Sequence, residues 1–244
     1  MKVQESNNHT IIFVHIRRTG GTTLNIILIN NFGIDNFFCT TGENKGRPED
    51  YVASISQTEK IKIIEGHFAY GFHKYFDNYK YITILRNPVE RSISYYYFIR
   101  QQRWHWLHKM ADSLSLRAFV SIMPANEQST AIAGSLDKID PRTISSPISP
   151  QSLLNHITLQ QAKKHLDNMT FGLTERFHES LDIFQHELGL NSSGYGIYNE
   201  AKNRPFIEEI EVDTLDFIRN RNLIDVKLYK YAQTLFDKRL KKVA

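Results

Sequence analysis

Two stretches of this sequence combine cations, hydroxyls and glycines at a spacing suited to holding phosphate or sulfate. The first, Phe13-Val-His-Ile-Arg-Arg-Thr-Gly-Gly-Thr-Thr-Leu24, reads as a strand, a tight glycine turn and a helix start. Such a turn aims backbone N–H groups and the positive end of a helix dipole at one point. Gly20 and Gly21 permit close backbone approach, Thr22 and Thr23 add hydroxyl donors, and Arg18 supplies a cation ahead of them. The second stretch, Ile82-Thr-Ile-Leu-Arg-Asn-Pro-Val-Glu-Arg-Ser-Ile-Ser94, passes from a strand into a helix. Arg86 ends the strand, and Ser94 lies two turns into the helix. A guanidinium with a hydroxyl is a receptor for a phosphate monoester. Blander readings stand beside both: glycine pairs also make ordinary strand–helix turns, and Arg86 can simply pair with Glu90.

An ATP-binding loop of the form G-x-x-x-x-G-K-[ST] would need lysine where Gly21 stands and glycine where His15 stands. The residue that reaches the outer phosphates of ATP is therefore missing. A divergent nucleotide or small-molecule kinase is the weaker alternative.

Positioning both stretches requires strands that end at one edge. Apolar runs at Thr10–Ile16, 62–65, 80–85 and 171–173 predict parallel strands covered on both faces. Helix-period segments fall at 22–31 and near 48–58, 88–102, 151–167, 175–188 and 212–240. Strands alternating with helices predict an α/β fold: a single P-loop-like domain with a mostly parallel central sheet and helices on both faces. The carboxyl ends of such strands are where ligands bind, which puts Arg86 in the crevice. Asn87, Pro88 and Glu90 form a helix-start signal. Residues 135–152, with Pro141, Pro147 and Pro150, predict a long surface loop. Residues 1–244 are expected to form one domain, with a ligand-binding core at about 10–100 and 168–240 and a helical and loop insertion at about 101–167.

Composition excludes several classes. Hydrophobic residues at 41% and charged residues at 23% rule out disorder and collagen-like repeats. No apolar run approaches the length of a membrane span, and the polar N-terminus lacks a signal-peptide pattern. Cys39 is the one cysteine, so no internal disulfide or Cys-rich zinc site can form. A net charge of +4 favours an anionic ligand without pointing to nucleic acid. A cytoplasmic protein is the expectation.

The ordered pair HIRRTGGTTL and LRNPVERSISYYYF resembles the signatures of sulfotransferases that use 3′-phosphoadenosine 5′-phosphosulfate. It is closest in pattern to the carbohydrate branch, with the heparan and chondroitin sulfate enzymes and their bacterial relatives. Glu65-Gly-His-Phe68, the run from Phe171 to Leu181, and Asn203-Arg-Pro205 extend the likeness over about residues 10–235. The resemblance implies that Arg18, Thr19, Gly20, Gly21, Thr22 and Thr23 hold the 5′-phosphosulfate of the donor, with Arg17 beside them. Arg86 and Ser94 would grip the 3′-phosphate, and Arg204 would reach the nucleotide. The usual motif reads H-x-P-K-T-G-G-T, so Arg17 replaces a proline and Arg18 the lysine that acts at the bridging oxygen. Arginine keeps the charge but is planar and almost never deprotonated.

Sulfuryl transfer asks for positioning, charge stabilisation and a base for the acceptor hydroxyl. His67 is the candidate base, because it follows a predicted strand through Gly66 and matches the branch's G-H motif. Glu65 is the runner-up, and His15 is assigned to support of the first loop. No metal is required, and no His/Asp/Glu cluster has ligand spacing. The implied acceptor is a hydroxyl of a glycan or glycolipid. Arg100, Arg103, Trp104, His105, Trp106, His108 and Lys109 form a basic, aromatic stretch that suits an anionic sugar chain; equally, the tryptophans can belong to the core. Glu175 and Arg176 read as a helix start with internal pairing. The branch's N-x-Q-T-R pattern becomes Asn126-Glu-Gln-Ser-Thr130, without its arginine. A non-catalytic glycan-binding relative is the remaining alternative.

Overall fold

The computed structural model describes residues 9–40, 61–134, 150–191, 196 and 204–243. Five parallel strands form one sheet: β1 (Thr10–Val14), β2 (Phe37–Cys39), β3 (Ile63–Gly66), β4 (Tyr79–Leu85) and β5 (Thr170–Leu173). Their spatial order is β2-β3-β1-β4-β5. The chain runs outward from β1 to β2, returns through β3, and then crosses to β4 on the other side. Val14 lies opposite both Gly66 and Thr83, so β3, β1 and β4 end at one edge. The loops after these three strands share that edge, as the fold class predicts.

Alternation within β1 explains why helices cover both faces. Ile11 and Phe13 pack with Leu24 and Leu28 of α1 (Gly21–Phe32) and with Leu181 and Phe184 of α7 (Phe177–Leu188). Ile12 and Val14 face the other way. They join a core that includes Leu166 of α6 (Pro150–Asp167) and Leu228 and Phe236 of α9 (Leu223–Val243). Phe13 is wholly buried; its truncation to alanine would cost about 3–5 kcal/mol. Beside the sheet, α2 (Pro88–Gln101) packs on α3 (His108–Ser113), α4 (Leu116–Ile122) and α8 (Val212–Arg221). The short helix α5 (Glu127–Ala133) lies on α6.

Several elements depart from the sequence expectation. The first strand stops at Val14 rather than Ile16, because the chain turns toward a left-handed Arg18 with φ of 66°. The segment 212–240 is two helices separated at Asn222, whose φ of −109° and ψ of 35° leave the helix. The start expected at residue 175 is a 3-10 turn, Thr174–Arg176, with α7 following at Phe177. β2 and the short helices α3 to α5 carry too few residues for a periodic signal. The helix expected near 48–58 and residues 135–149 of the expected loop lie outside the described residues; Pro150 itself opens α6. Among the described residues, no helix is long and apolar enough to cross a membrane.

Candidate active site

The loop between β1 and α1 is shaped by three backbone requirements. Arg18 is left-handed, and Gly20 takes φ of 91° as the residue preceding α1, a conformation glycine adopts without strain. Gly21 is needed for space: a Cβ there would stand 2.2 Å from Cδ2 and Nε2 of His15. The hydroxyl of Thr19 is buried and donates to the Ile16 carbonyl at 2.8 Å, so it fixes the turn. Thr174 Oγ1 lies 2.6 Å from the Thr19 carbonyl and 3.1 Å from that of Leu85, tying this loop to the end of β4.

Three guanidinium groups converge beside it. Arg18 Nε donates to Ser94 Oγ at 3.1 Å, and its guanidinium lies 4.3 Å from the ring centre of Phe98. Arg86 Nη1 donates to the Arg18 carbonyl at 3.1 Å. Arg204 pairs with Glu90, which also receives a long 3.4 Å contact from Arg86. Burial, reinforced by Arg86 and Arg204, pulls the pKa of Arg18 down to about 10, leaving it charged at neutral pH. Burial and then the Arg204 charge also lower Arg86. Arg86 Nε and Arg204 Nη1 are buried and have no hydrogen-bond partner among the described residues. Glu90 thus faces two arginines that each keep an unsatisfied buried donor, with the charge of Arg18 beside them, an arrangement completed by a multiply charged anion.

Neighbouring residues that the sequence reading did not single out for this purpose hold Arg86 in place. Gln128 makes a reciprocal pair with its backbone, accepting from Arg86 N at 2.9 Å and donating to Arg86 O at 2.8 Å. Gln128 is itself fixed because Asp225 accepts from the N–H groups of Gln128 and Ser129. The capping signal is half right. Asn87 caps α2 through Val89 and Glu90, but the Asn87 N–H donates to Glu175, which frees the Glu90 carboxylate for the arginines. Glu175 also accepts from Tyr229, and Arg176 pairs with Glu179 and Asp237, so apart from Glu179 the partners of these two residues are distant in sequence and the expected internal pairing is met only in part.

His67 stands on the far side of the loop, directly after β3. Its Nδ1 lies 2.6 Å from the His15 carbonyl, which can only accept, so the hydrogen is on Nδ1 and Nε2 carries the lone pair. The residue is exposed to solvent. Desolvation by the surrounding protein, then the charges of His15 and Arg17, lower its pKa to about 4 despite opposing effects of the carbonyl and Glu65. The ring is neutral at pH 7, the state a proton acceptor needs. Glu65 fails as the alternative base because it is wholly buried. Its carboxylate is paired with His15, and Cys39 Sγ donates to it at 2.8 Å. Burial pushes Glu65 up, but hydrogen bonds from His15, Cys39 and Asn25 outweigh it and hold the pKa below the ordinary value. His15 supports the loop as expected: it stacks on Phe13, fills the space beside Gly21 and contacts His67.

Arg17 parts company with the donor-loop residues among which the sequence reading counted it. Its side chain lines a crevice of about 250 Å³ with His67, Phe68 and Glu127, away from the Arg18–Arg86–Arg204 group. The reversal of chain direction at left-handed Arg18 separates the two adjacent side chains. Trp104 and Trp106 are outside the core, 76% and 83% exposed. They flank His105 in the turn between α2 and α3, with ring centres 5.7 and 6.0 Å from its own. Trp104 Nε1 donates to Gln102 at 2.9 Å. Burial, then the charge of Arg17, lower the pKa of His105.

The profile of the sulfotransferase family matches residues 4–232. Similar proteins include heparan-sulfate 6-O-sulfotransferase 3 of Mus musculus and of Homo sapiens, each 27% identical over 94% of this chain and 58% of theirs. Heparan-sulfate 6-O-sulfotransferase 2 of Gallus gallus is 26% identical over 93% of this chain and 66% of its own. The chain therefore spans little more than half the length of the first of these relatives. A crystal structure of mouse sulfotransferase SULT7A1 complexed with PAP aligns with 90% of this chain and 66% of its own, at a TM-score of 0.42 and 15% identity. With the family profile running from before β1 into α9, the chain belongs to the sulfotransferase family.

Proposed function

We propose that this protein transfers a sulfuryl group from 3′-phosphoadenosine 5′-phosphosulfate to a hydroxyl of a carbohydrate. The observation that carries this reading is the set of buried, partnerless donors on Arg86 and Arg204 beside Arg18 and Ser94. A donor with phosphates at two ends suits the two adjoining half-sites. Arg86, Ser94 and Arg204 would hold the 3′-phosphate. The turn at Gly20 and Gly21, the first turn of α1 with Thr22 and Thr23, and the backbone of Thr19 would hold the 5′ end.

The donor brings an activated sulfuryl group attached to a phosphate leaving group. Arg18 spans the two half-sites, and its charge offsets the negative charge growing on that phosphate. His67 Nε2 takes the acceptor's hydroxyl proton as the new sulfur–oxygen bond forms and the old one breaks. Dispersal of charge by Arg18 resembles the role of arginine in phosphoryl transfer. A glycan acceptor is supported by the heparan-sulfate named in the relatives and by the exposed Trp104 and Trp106, whose faces suit sugar rings.

Calorimetric titration with 3′-phosphoadenosine 5′-phosphate should give micromolar affinity, with no comparable binding of ATP–Mg²⁺. Transfer of labelled sulfate to a glycan panel then tests the reaction. Binding of ATP–Mg²⁺ in preference to the bisphosphate would overturn the reading, and donor binding without transfer to any acceptor would leave only a glycan- or nucleotide-binding protein.

A further inference from the structure

Arg17 and Arg18 are adjacent in sequence, yet their guanidinium groups serve different spaces. Arg18 is held by Ser94 and Phe98 on the donor side. Arg17 has a side chain 46% exposed and opens into the crevice lined by His67. Its pairing there is poor: Arg17 Nη1 lies 3.5 Å from Glu127 Oε1, beyond a good hydrogen bond. The other oxygen of Glu127 accepts from the buried Arg91 at 2.7 Å, so that carboxylate is anchored away from Arg17. The charge of Arg17 is felt by His67 on one side and by His105, between the two tryptophans, on the other.

We propose that Arg17 is an acceptor-side specificity residue that binds a carboxylate or sulfate group carried by the glycan next to the hydroxyl that reacts. This rests on the sulfotransferase reading and adds a requirement to it: the acceptor is anionic near the reacting position. A planar, exposed guanidinium with a weak internal partner can exchange a 3.5 Å contact for a two-pronged bond to an incoming anion. Glu127 acts in the opposite sense, because it competes for Arg17 and repels that anion. Trp104 and Trp106 would supply sugar-ring contact alongside.

The full chain, with 3′-phosphoadenosine 5′-phosphate present, is titrated with three probes: a heparosan oligosaccharide, its N-sulfated form, and a neutral maltooligosaccharide of equal length. Wild type should bind the charged probes at least about tenfold more tightly than the neutral one. Arg17→Ala should remove that preference, weakening charged probes about tenfold while bisphosphate affinity changes less than about twofold. Glu127→Gln, which keeps a polar partner for Arg91, should strengthen charged-probe binding by about threefold. Combining it with Arg17→Ala should remove most of that gain. An Arg17→Ala variant that keeps the preference overturns the proposal, and so does one that loses bisphosphate binding, since Arg17 would then serve the donor. If wild type bound charged glycans through Arg17 but not the bisphosphate, the sulfotransferase reading would fail, and the role of Arg17 beside a reacting hydroxyl would fail with it, leaving only an anionic-glycan contact.

Discussion

The proposed donor side and the proposed acceptor side of the site are built on opposite plans. On the proposed donor side, the arginines are half-buried and each is held by the protein: Arg86 by Gln128 and the Arg18 carbonyl, Arg18 by Ser94 and Arg204 by Glu90, with the loop fixed by Thr19 and Thr174. On the acceptor side, Arg17, His67, Trp104 and Trp106 are exposed or open to solvent, and they come from separate loops. A fixed ligand such as a nucleotide can be met by preorganised cations whose desolvation has already occurred in folding. A polymer acceptor that must arrive, react and leave is better met by exposed groups with small individual contributions.

The sharpest way to break this contrast is at Arg86. Arg86→Ala should weaken 3′-phosphoadenosine 5′-phosphate binding by roughly 100-fold or more in a calorimetric titration, as expected when one member of a buried charge set is removed. A change below about fivefold would mean the buried cluster is not the nucleotide site. Next comes His67→Ala, which should lower kcat by about 10²–10⁴-fold and leave bisphosphate affinity within about twofold. Parallel loss of both would assign His67 to the donor side instead.

The pH dependence sharpens the assignment further. The His67 pKa is lowered to about 4, so the base form accumulates above that value. The acid limb of kcat/KM should therefore lie well below 6.5, with a plateau through pH 6–8. A limb centred near 6.5 would indicate an ordinary histidine there. The smallest effects belong to the aromatic turn: Trp104→Ala and Trp106→Ala should each raise KM for a long glycan about three- to tenfold. Thermal stability should stay within about 2 °C, because these rings are outside the core.

The same contrast decides what the sequence made legible. Gly20, Gly21, Arg86 and Ser94 sit at fixed offsets from a strand end or helix start, so local spacing located them and four of the five strands. Glu90 shows the limit. Its spacing from Asn87 matches a capping box, but Glu175, 88 residues away, takes the Asn87 N–H and turns Glu90 toward Arg86 and Arg204. Gln128 was visible only as part of a pattern lacking its arginine; its pairing with Arg86 depends on Asp225, 97 residues further on. The tryptophans illustrate the converse. Composition alone treats them equally as core or surface, and only the turn between α2 and α3 decides.

The 2.2 Å separation between His15 and a Cβ built at Gly21 has a consequence for the ancestry of nucleotide loops. Position 21 is where an ATP-binding loop carries its lysine. Here the first atom of any side chain would collide with an imidazole clasped by a buried carboxylate and stacked on Phe13. Grafting lysine onto this loop would therefore leave it unable to close, whatever the glycines around it. Converting between the two kinds of phosphate cradle needs paired changes at residues 15 and 21, and the strand as well as the loop keeps the two chemistries apart.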